Sequence, residues 1–369
     1  MKNAARDTPV NLLVAGGGTG GHIFPALEVA RAWRRLGEEH GREHSVVFVG
    51  TARGLEKRLV PAAGFSLELI RAACLKGIGG WRFALNAASL APALWDSAAI
   101  LRRRRPDVAL GMGAYASGPV ILAAVLAGVP SMIFESNLEP GFTNRMLGVM
   151  VTRVATAFDI TAQRWGSRAI AIGCPVRAEF FDAAPRKHLP PFHVLITGGS
   201  QGAAPVNQAV VAALPLLKSW RERLFLVHQT GERDYNSVRD AYAQHNFSAE
   251  VTPFIQNMAE RFAQADLIVC RAGAITAAEV AASGRAAIFI PFGAAADSHQ
   301  LRNAEWLEQE GAARVIPQDL LTPGRLVCEI SSLLDAPREL QEIERRVRAL
   351  ARPRAAERIA RLLEGMARQ

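Results

Sequence analysis

Cysteine is scarce in this chain and widely scattered. Four thiols, Cys74, Cys174, Cys270 and Cys328, stand far apart, with no C-x-x-C pair and no histidine cluster beside any of them. Neither a disulfide framework nor a zinc site is implied, and a reducing cytoplasm is the default compartment. The first ten residues carry Lys2, Arg6 and Asp7 and lack the apolar core of a signal peptide. No G-K-[ST] tripeptide marks a triphosphate loop, and no D-x-D pair stands ready to hold a metal-bound nucleotide sugar. The uncharged stretch 108–134 exceeds the ~20 residues of a membrane helix. Gly111, Gly113, Gly118, Pro119, Gly128 and Pro130 punctuate it, so it is expected as strand, loop, buried helix and strand of an α/β core.

What is present suggests two domains, since 369 residues is long for one core when a domain averages about 150. The net charge of +9 is uneven: residues 1–174 hold 20 Lys and Arg against 12 Asp and Glu, leaving 23 against 22 of the totals of 43 and 34 for the rest. The basic surplus of the first half fits a polyanionic partner, nucleic acid or an anionic membrane surface, as well as a merely solvated face.

The chain is organised around Gly16-Gly17-Gly18-Thr19-Gly20-Gly21-His22, which follows the apolar run 10–15 and leads into a helical pattern through Leu36. Such a turn lets backbone approach a ligand closely, and its N–H groups, with the helix start behind them, favour an anion. Gly16, Gly18 and Gly21 fit the dinucleotide fingerprint, but the second strand, 46–49, ends in Gly50-Thr51-Ala52-Arg53 with no carboxylate at its tip for a ribose. The dehydrogenase reading thereby loses its second element. Strand and helix patterns alternate through the first half, with a second glycine turn at 111–119 and polar Glu135-Ser136-Asn137 at a strand end. The loop 74–82, CLKGIGGWR, mixes Leu75, Ile78 and Trp81 with Lys76 and Arg82, and fits insertion into a headgroup layer or simple packing of Trp81.

Asp182–Pro191, rich in proline and charge, is expected as a linker, after which the scheme restarts: strand 192–197, glycine turn 198–203, helix from 206. The expected class is α/β, with two doubly wound parallel sheets. The densest polar constellation runs from Arg271 to Ala304, where Glu279 sits near the start of a helix, within reach of a ribose diol. The chain ends in amphipathic helix broken at Pro353.

The segments GGGTGGHIFPAL at 16–27, GAYASGP at 113–119, ESN at 135–137, GCPVR at 173–177, GGSQGA at 198–203, HQTG at 228–231, PFI at 253–255, the block 271–284 and DSHQLRNA at 297–304 resemble, in order, the bacterial peptidoglycan glycosyltransferases. That family adds N-acetylglucosamine from UDP to undecaprenyl-pyrophosphoryl-MurNAc-pentapeptide. The resemblance implies the GT-B fold, two Rossmann-like domains facing across a cleft: 1–174 with 351–369 for acceptor and membrane, 175–350 for the donor. It implies that Glu279 holds the ribose, the Ile255 backbone the uracil, Arg177, Ser200 and Gln201 the phosphates, and His299 and Gln300 the sugar. Acceptor pyrophosphate is implied at Gly17, Gly18, Thr19, Gly20 and Gly21, with Tyr115, Glu135 and Asn137 beside it.

Inverting transfer requires a base for the 4-hydroxyl, and His22, at a helix start that disfavours its cation, is the expected one; a role in binding the acceptor pyrophosphate stays open. Neither metal nor cofactor is expected, nor a nucleic-acid partner. The expected place is the cytoplasmic side of the bacterial inner membrane, held peripherally by the basic first half and the loop 74–82. The sequence departs from the family pattern at Cys174, Ala272, Phe134 and Ser136. A UDP-sugar epimerase of the same fold and a non-enzymatic anion-binding protein are the alternatives.

Overall fold

The computed structural model describes residues 9–18, 20–71, 90–293 and 299–368. The chain forms two compact units, Met1–Val176 with Arg354–Gln369, and Arg177–Pro353. The loop 74–82, Thr19 and Asp297 lie outside the described residues.

In the first unit the strands are β1 (Asn11–Ala15), β2 (Ser45–Gly50), β3 (Ser66–Leu69), β4 (Val108–Gly111), β5 (Ser131–Glu135), β6 (Arg153–Thr156) and β7 (Ala169–Ala171). They pair in parallel in the order β3-β2-β1-β4-β5-β6-β7. Their apolar runs have a physical origin: helices cover both faces, so β1, β4 and β5 are buried almost throughout. The uncharged stretch 108–134 folds as expected, into β4, the helix Ala114–Leu126 and most of β5. Among the described residues no helix is long and apolar enough to cross a membrane.

The terminal pattern resolves into two helices, Pro337–Ala349 in the second unit and Ala355–Ala367 in the first. The last helix lies on Gly20–Glu39, where His40 and His44 both reach Glu364 (3.2 and 3.3 Å), and Arg358 donates to the Ile172 carbonyl at 3.3 Å.

The second unit repeats the scheme with β8 (Phe192–Thr197), β9 (Leu224–Gln229), β10 (Ala249–Thr252), β11 (Leu267–Cys270), β12 (Ala287–Phe289) and β13 (Arg314–Val315). Their order is β10-β9-β8-β11-β12-β13, again parallel. Its core joins Val194, Ile196, Val269 and Ile288 of the sheet to Val206 and Val210 of the helix Ala204–Ala213 and to Leu326 and Ile330 of Pro323–Leu334.

One expectation is corrected here. The proline-rich stretch 182–191 is not a free linker but is fastened to the second unit. Asp266 accepts from Arg186 (2.8 Å), from His188 Nδ1 (3.0 Å) and from the His193 N–H (2.8 Å), while His188 Nε2 meets Glu344 at 3.0 Å. Arg285 and Arg348 donate to the carbonyls of Ala184 and Ala183. Composition marks the stretch as irregular; buried ion pairs with residues far along the chain decide that it is held.

Candidate functional site

In each sheet the strand order reverses once, between β1 and β4 and between β8 and β11. Ligands of open α/β sheets bind at the carboxyl ends of the strands beside such a reversal. The glycine turns stand there: 16–21 after β1 and 111–113 after β4 in the first unit, 198–203 after β8 and 271–273 after β11 in the second.

In the first unit the two turns touch. A Cβ built on Gly113 would lie 3.1 Å from the His22 ring, and one on Gly18 3.7 Å from the Tyr115 ring. Gly113 and Gly18 both have positive φ, +88° and +87°, which a side chain would strain. His22, in the first turn of Gly20–Glu39, donates from Nδ1 to the Met112 carbonyl at 2.9 Å. A carbonyl only accepts, so in the neutral ring Nδ1 carries the proton and Nε2 is the basic nitrogen.

Sequence reasoning missed Glu56. Its side chain is fully buried; Oε2 accepts the Gly18 N–H at 2.9 Å, and Oε1 accepts the Thr51 N–H and hydroxyl at 2.8 and 3.0 Å. The Thr51 hydroxyl then meets the Tyr115 hydroxyl at 3.2 Å. Gly17, Gly50 and Gly54 are glycine because Glu56 fills the space: a Cβ there would come within 2.3, 2.5 and 1.8 Å of it. The carboxylate absent from the tip of β2 is thus found six residues on, bound to the turn itself. A signal existed in the glycines flanking Glu56, though nothing local says which turn they serve.

Glu135 and Asn137 come together, but Glu135 is turned inward. The buried carboxylate accepts the N–H and Nδ2 of Asn137 (2.9 and 3.0 Å), the Gly141 N–H (3.0 Å) and Asn144 Nδ2 (2.9 Å). All its capacity goes to shaping the segment 137–144, including Asn144, which sequence reasoning also missed.

In the second unit Glu279 is the sixth residue of the helix Ala274–Ser283, one turn further in than the start expected for it, and the Gly273 cap is the third residue after β11. Arg177 Nη2 stands 3.8 Å from Glu279 Oε1, and its guanidinium lies 5.0 Å from the Phe180 ring centre. Burial pushes the Glu279 carboxyl up to about 7, against the pull of Arg177. A carboxylate and a guanidinium this close can serve a ribose diol and a phosphate side by side. Ser200 and Gln201 are exposed on the turn 198–203. Ile255 is buried and donates its N–H to Gln229 Oε1 at 2.8 Å. His299 and Gln300 open the helix His299–Gln309, and Gln300 accepts the Phe292 N–H at 3.0 Å.

The chain matches the glycosyltransferase family 28 N-terminal domain over residues 12–156 and the family 28 C-terminal domain over 193–359. It is 43% identical over 350 residues, 94% of this chain and 96% of the other, to the UDP-N-acetylglucosamine–N-acetylmuramyl-(pentapeptide) pyrophosphoryl-undecaprenol N-acetylglucosamine transferase of Syntrophus aciditrophicus. Among solved structures it is similar to Acinetobacter baumannii MurG, with a TM-score of 0.79, 31% identity, and 97% and 100% of the two chains covered. The UDP-GlcNAc 2-epimerase of Neisseria meningitidis superposes with a TM-score of 0.68 over 97% of this chain and 100% of that one, at 12% identity, which is a likeness of fold.

Proposed function

The chain belongs to glycosyltransferase family 28, and from that membership we propose that it carries out the reaction in its relatives' names, the transfer of N-acetylglucosamine from UDP to N-acetylmuramyl-(pentapeptide) pyrophosphoryl-undecaprenol. One observation carries the reading. Paired glycine turns flank the strand reversal in both sheets; the imidazole of His22 opens the helix behind one of them, and the Glu279 carboxylate, 3.8 Å from the Arg177 guanidinium, lies on the helix behind another.

On this reading the second unit holds the donor. Glu279 accepts from the ribose diol, the Ile255 backbone meets the base, Arg177, Ser200 and Gln201 meet the pyrophosphate, and His299 and Gln300 contact the sugar. The first unit holds the acceptor on the turns at 17–21 and 113, with Tyr115 and Asn137 beside it. His22 Nε2 takes the proton of the muramic 4-hydroxyl as that oxygen bonds to the anomeric carbon. The bond from that carbon to the UDP oxygen breaks with its electron pair, configuration inverts, and Arg177 with the turn amides meets the departing charge.

The same reading puts the first unit on an anionic membrane surface at the cytoplasmic face. Support comes from Phe142, Met146, Val149 and Met150, all exposed, with Arg145 among them and Arg168 bonded to the Val149 carbonyl.

The deciding experiment follows labelled sugar from UDP-N-acetylglucosamine to a lipid-linked MurNAc-pentapeptide analogue. Acceptor-dependent transfer is expected. Conversion of UDP-N-acetylglucosamine with no acceptor present would instead identify an epimerase.

A further inference from the structure

Gln229 ends β9 opposite Thr197, the last residue of β8. It is 1% exposed, and its carboxamide spends its hydrogen bonds outside its own strand. Nε2 donates to the Gly199 carbonyl at 2.8 Å and to the Thr197 hydroxyl at 3.2 Å, while Oε1 accepts the Ile255 N–H at 2.8 Å. One neutral side chain therefore ties the glycine turn 198–203 to the segment 253–255.

The backbone beside it is packed without slack. A Cβ on Gly202 would fall 1.8 Å from the Thr230 carbonyl oxygen, and one on Gly231 2.2 Å from that of Gln201. The residue before Gln229 is spent on the opposite side: His228 bonds Asn207 Oδ1 at 3.1 Å and meets the Tyr242 hydroxyl at 3.2 Å, and Asn207 donates to the Thr230 carbonyl at 2.9 Å. The strand end 228–231 is thus held rigidly; its Gly231 N–H donates to the Pro253 carbonyl at 3.1 Å, and the Gln229 side chain bonds both segments at once.

We propose that Gln229 is a positioning residue of the donor site, setting the spacing between the turn that meets the pyrophosphate and the Ile255 backbone that meets the base. The proposal rests on the donor reading given above. It assigns a purpose to the carboxamide in particular: only a group with an acceptor at one end and a donor at the other satisfies an N–H and a carbonyl at once. Leucine would take the acceptor from the Ile255 N–H and leave the Gly199 carbonyl only the Gly202 N–H, at 2.9 Å. Glutamate satisfies them only while protonated, when its hydroxyl replaces Nε2.

The test is steady-state transfer by the full-length protein and its Gln229→Leu and Gln229→Glu variants, with melting curves for each. For Gln229→Leu, KM for UDP-N-acetylglucosamine should rise at least tenfold, with kcat within threefold and acceptor KM unchanged, because ground state and transition state lose the same contacts. For Gln229→Glu, the ratio of variant to wild-type donor KM should be near one at low pH and climb as pH rises, a signature that mere destabilisation does not give. A donor KM unchanged in Gln229→Leu, or a fall in kcat, acceptor affinity and melting temperature together, overturns the proposal. Should Gln229→Leu fail to fold, the pH course of Gln229→Glu decides, and a flat ratio overturns it. If wild type itself shows no saturation by UDP-N-acetylglucosamine, the donor reading has failed and this proposal with it; normal wild-type saturation with unaltered variants removes Gln229 alone.

Discussion

The buried carboxylate of Glu56 accepts the backbone N–H of Gly18 at 2.9 Å. The leading glycine turn is therefore not an open cradle of amides, because one donor is already held by an anion of the protein's own. Thr51 donates its N–H and hydroxyl to Glu56 and accepts from the Tyr115 hydroxyl, which extends that hold to the helix after the second turn. The turn's shape is set before any ligand arrives, as preorganised binding requires.

Replacing Glu56 by alanine leaves the Gly18 and Thr51 N–H groups without their acceptor, at roughly 1–3 kcal/mol for each buried donor. Melting temperature should fall by several degrees, and acceptor KM should rise while donor KM holds. Gly54→Ala should reproduce this, since its Cβ would lie 1.8 Å from Glu56 Oε2. Unchanged melting and acceptor KM in both variants would remove Glu56 from the acceptor side.

For His22→Ala the expected loss is in kcat, roughly a hundredfold to ten-thousandfold for a general base. UDP binding, measured by calorimetry, should be retained. If kcat stays near wild type while acceptor KM climbs, the imidazole is a ligand of the acceptor pyrophosphate and the base assignment is dead.

Glu279 gives a pH dependence whose sign follows from its environment. Burial raises its carboxyl to about 7, so the form able to accept two ribose hydroxyls prevails above that pH. Donor KM should fall as pH rises through 7, steepening to roughly tenfold per unit on the acid side. Glu279→Gln should weaken donor binding and flatten the course; a flat wild-type profile would sink the assignment.

His188 concerns stability. Burial alone would lower it, but hydrogen bonds to Asp266 and Glu344 prevail and raise it to about 9. A group with a raised folded value contributes stability that is complete below its unfolded value near 6.5 and is lost as pH climbs through 9. Thermal melts should show the second unit weakening across that window, and His188→Asn should remove most of the slope. An identical slope in the variant would contradict the pairing.

Phe142 and Met146 are 66% and 58% exposed, more than an isolated soluble surface requires of large apolar side chains. Changing both to serine should reduce sedimentation with anionic vesicles, and so should serine at Leu75, Ile78 and Trp81. Sedimentation equal to wild type in both sets would end the membrane-surface reading.

Much of this was legible in the residue order. Apolar strands such as 108–111 and 192–197, and the glycine turns after β1 and β8, announce themselves because burial on two faces and tight turning demand particular residues locally. From these alone the α/β class and two repeated halves followed. Glu279 was legible only as a carboxylate on the helix after β11; the order of residues suggested its first turn, and it stands in the second.

The tertiary structure alone decided which turns meet and what holds them. Glu56 serves Gly18 across 38 residues, Gln229 joins Gly199 and Ile255 across 30 and 26, and His188 finds Asp266 across 78. No periodicity encodes such partners. They exist because parallel strands end side by side, at their carboxyl ends for Glu56 and Gln229 and at their amino ends for Asp266, and a buried polar group there must find its hydrogen bonds among whatever the topology has placed beside it.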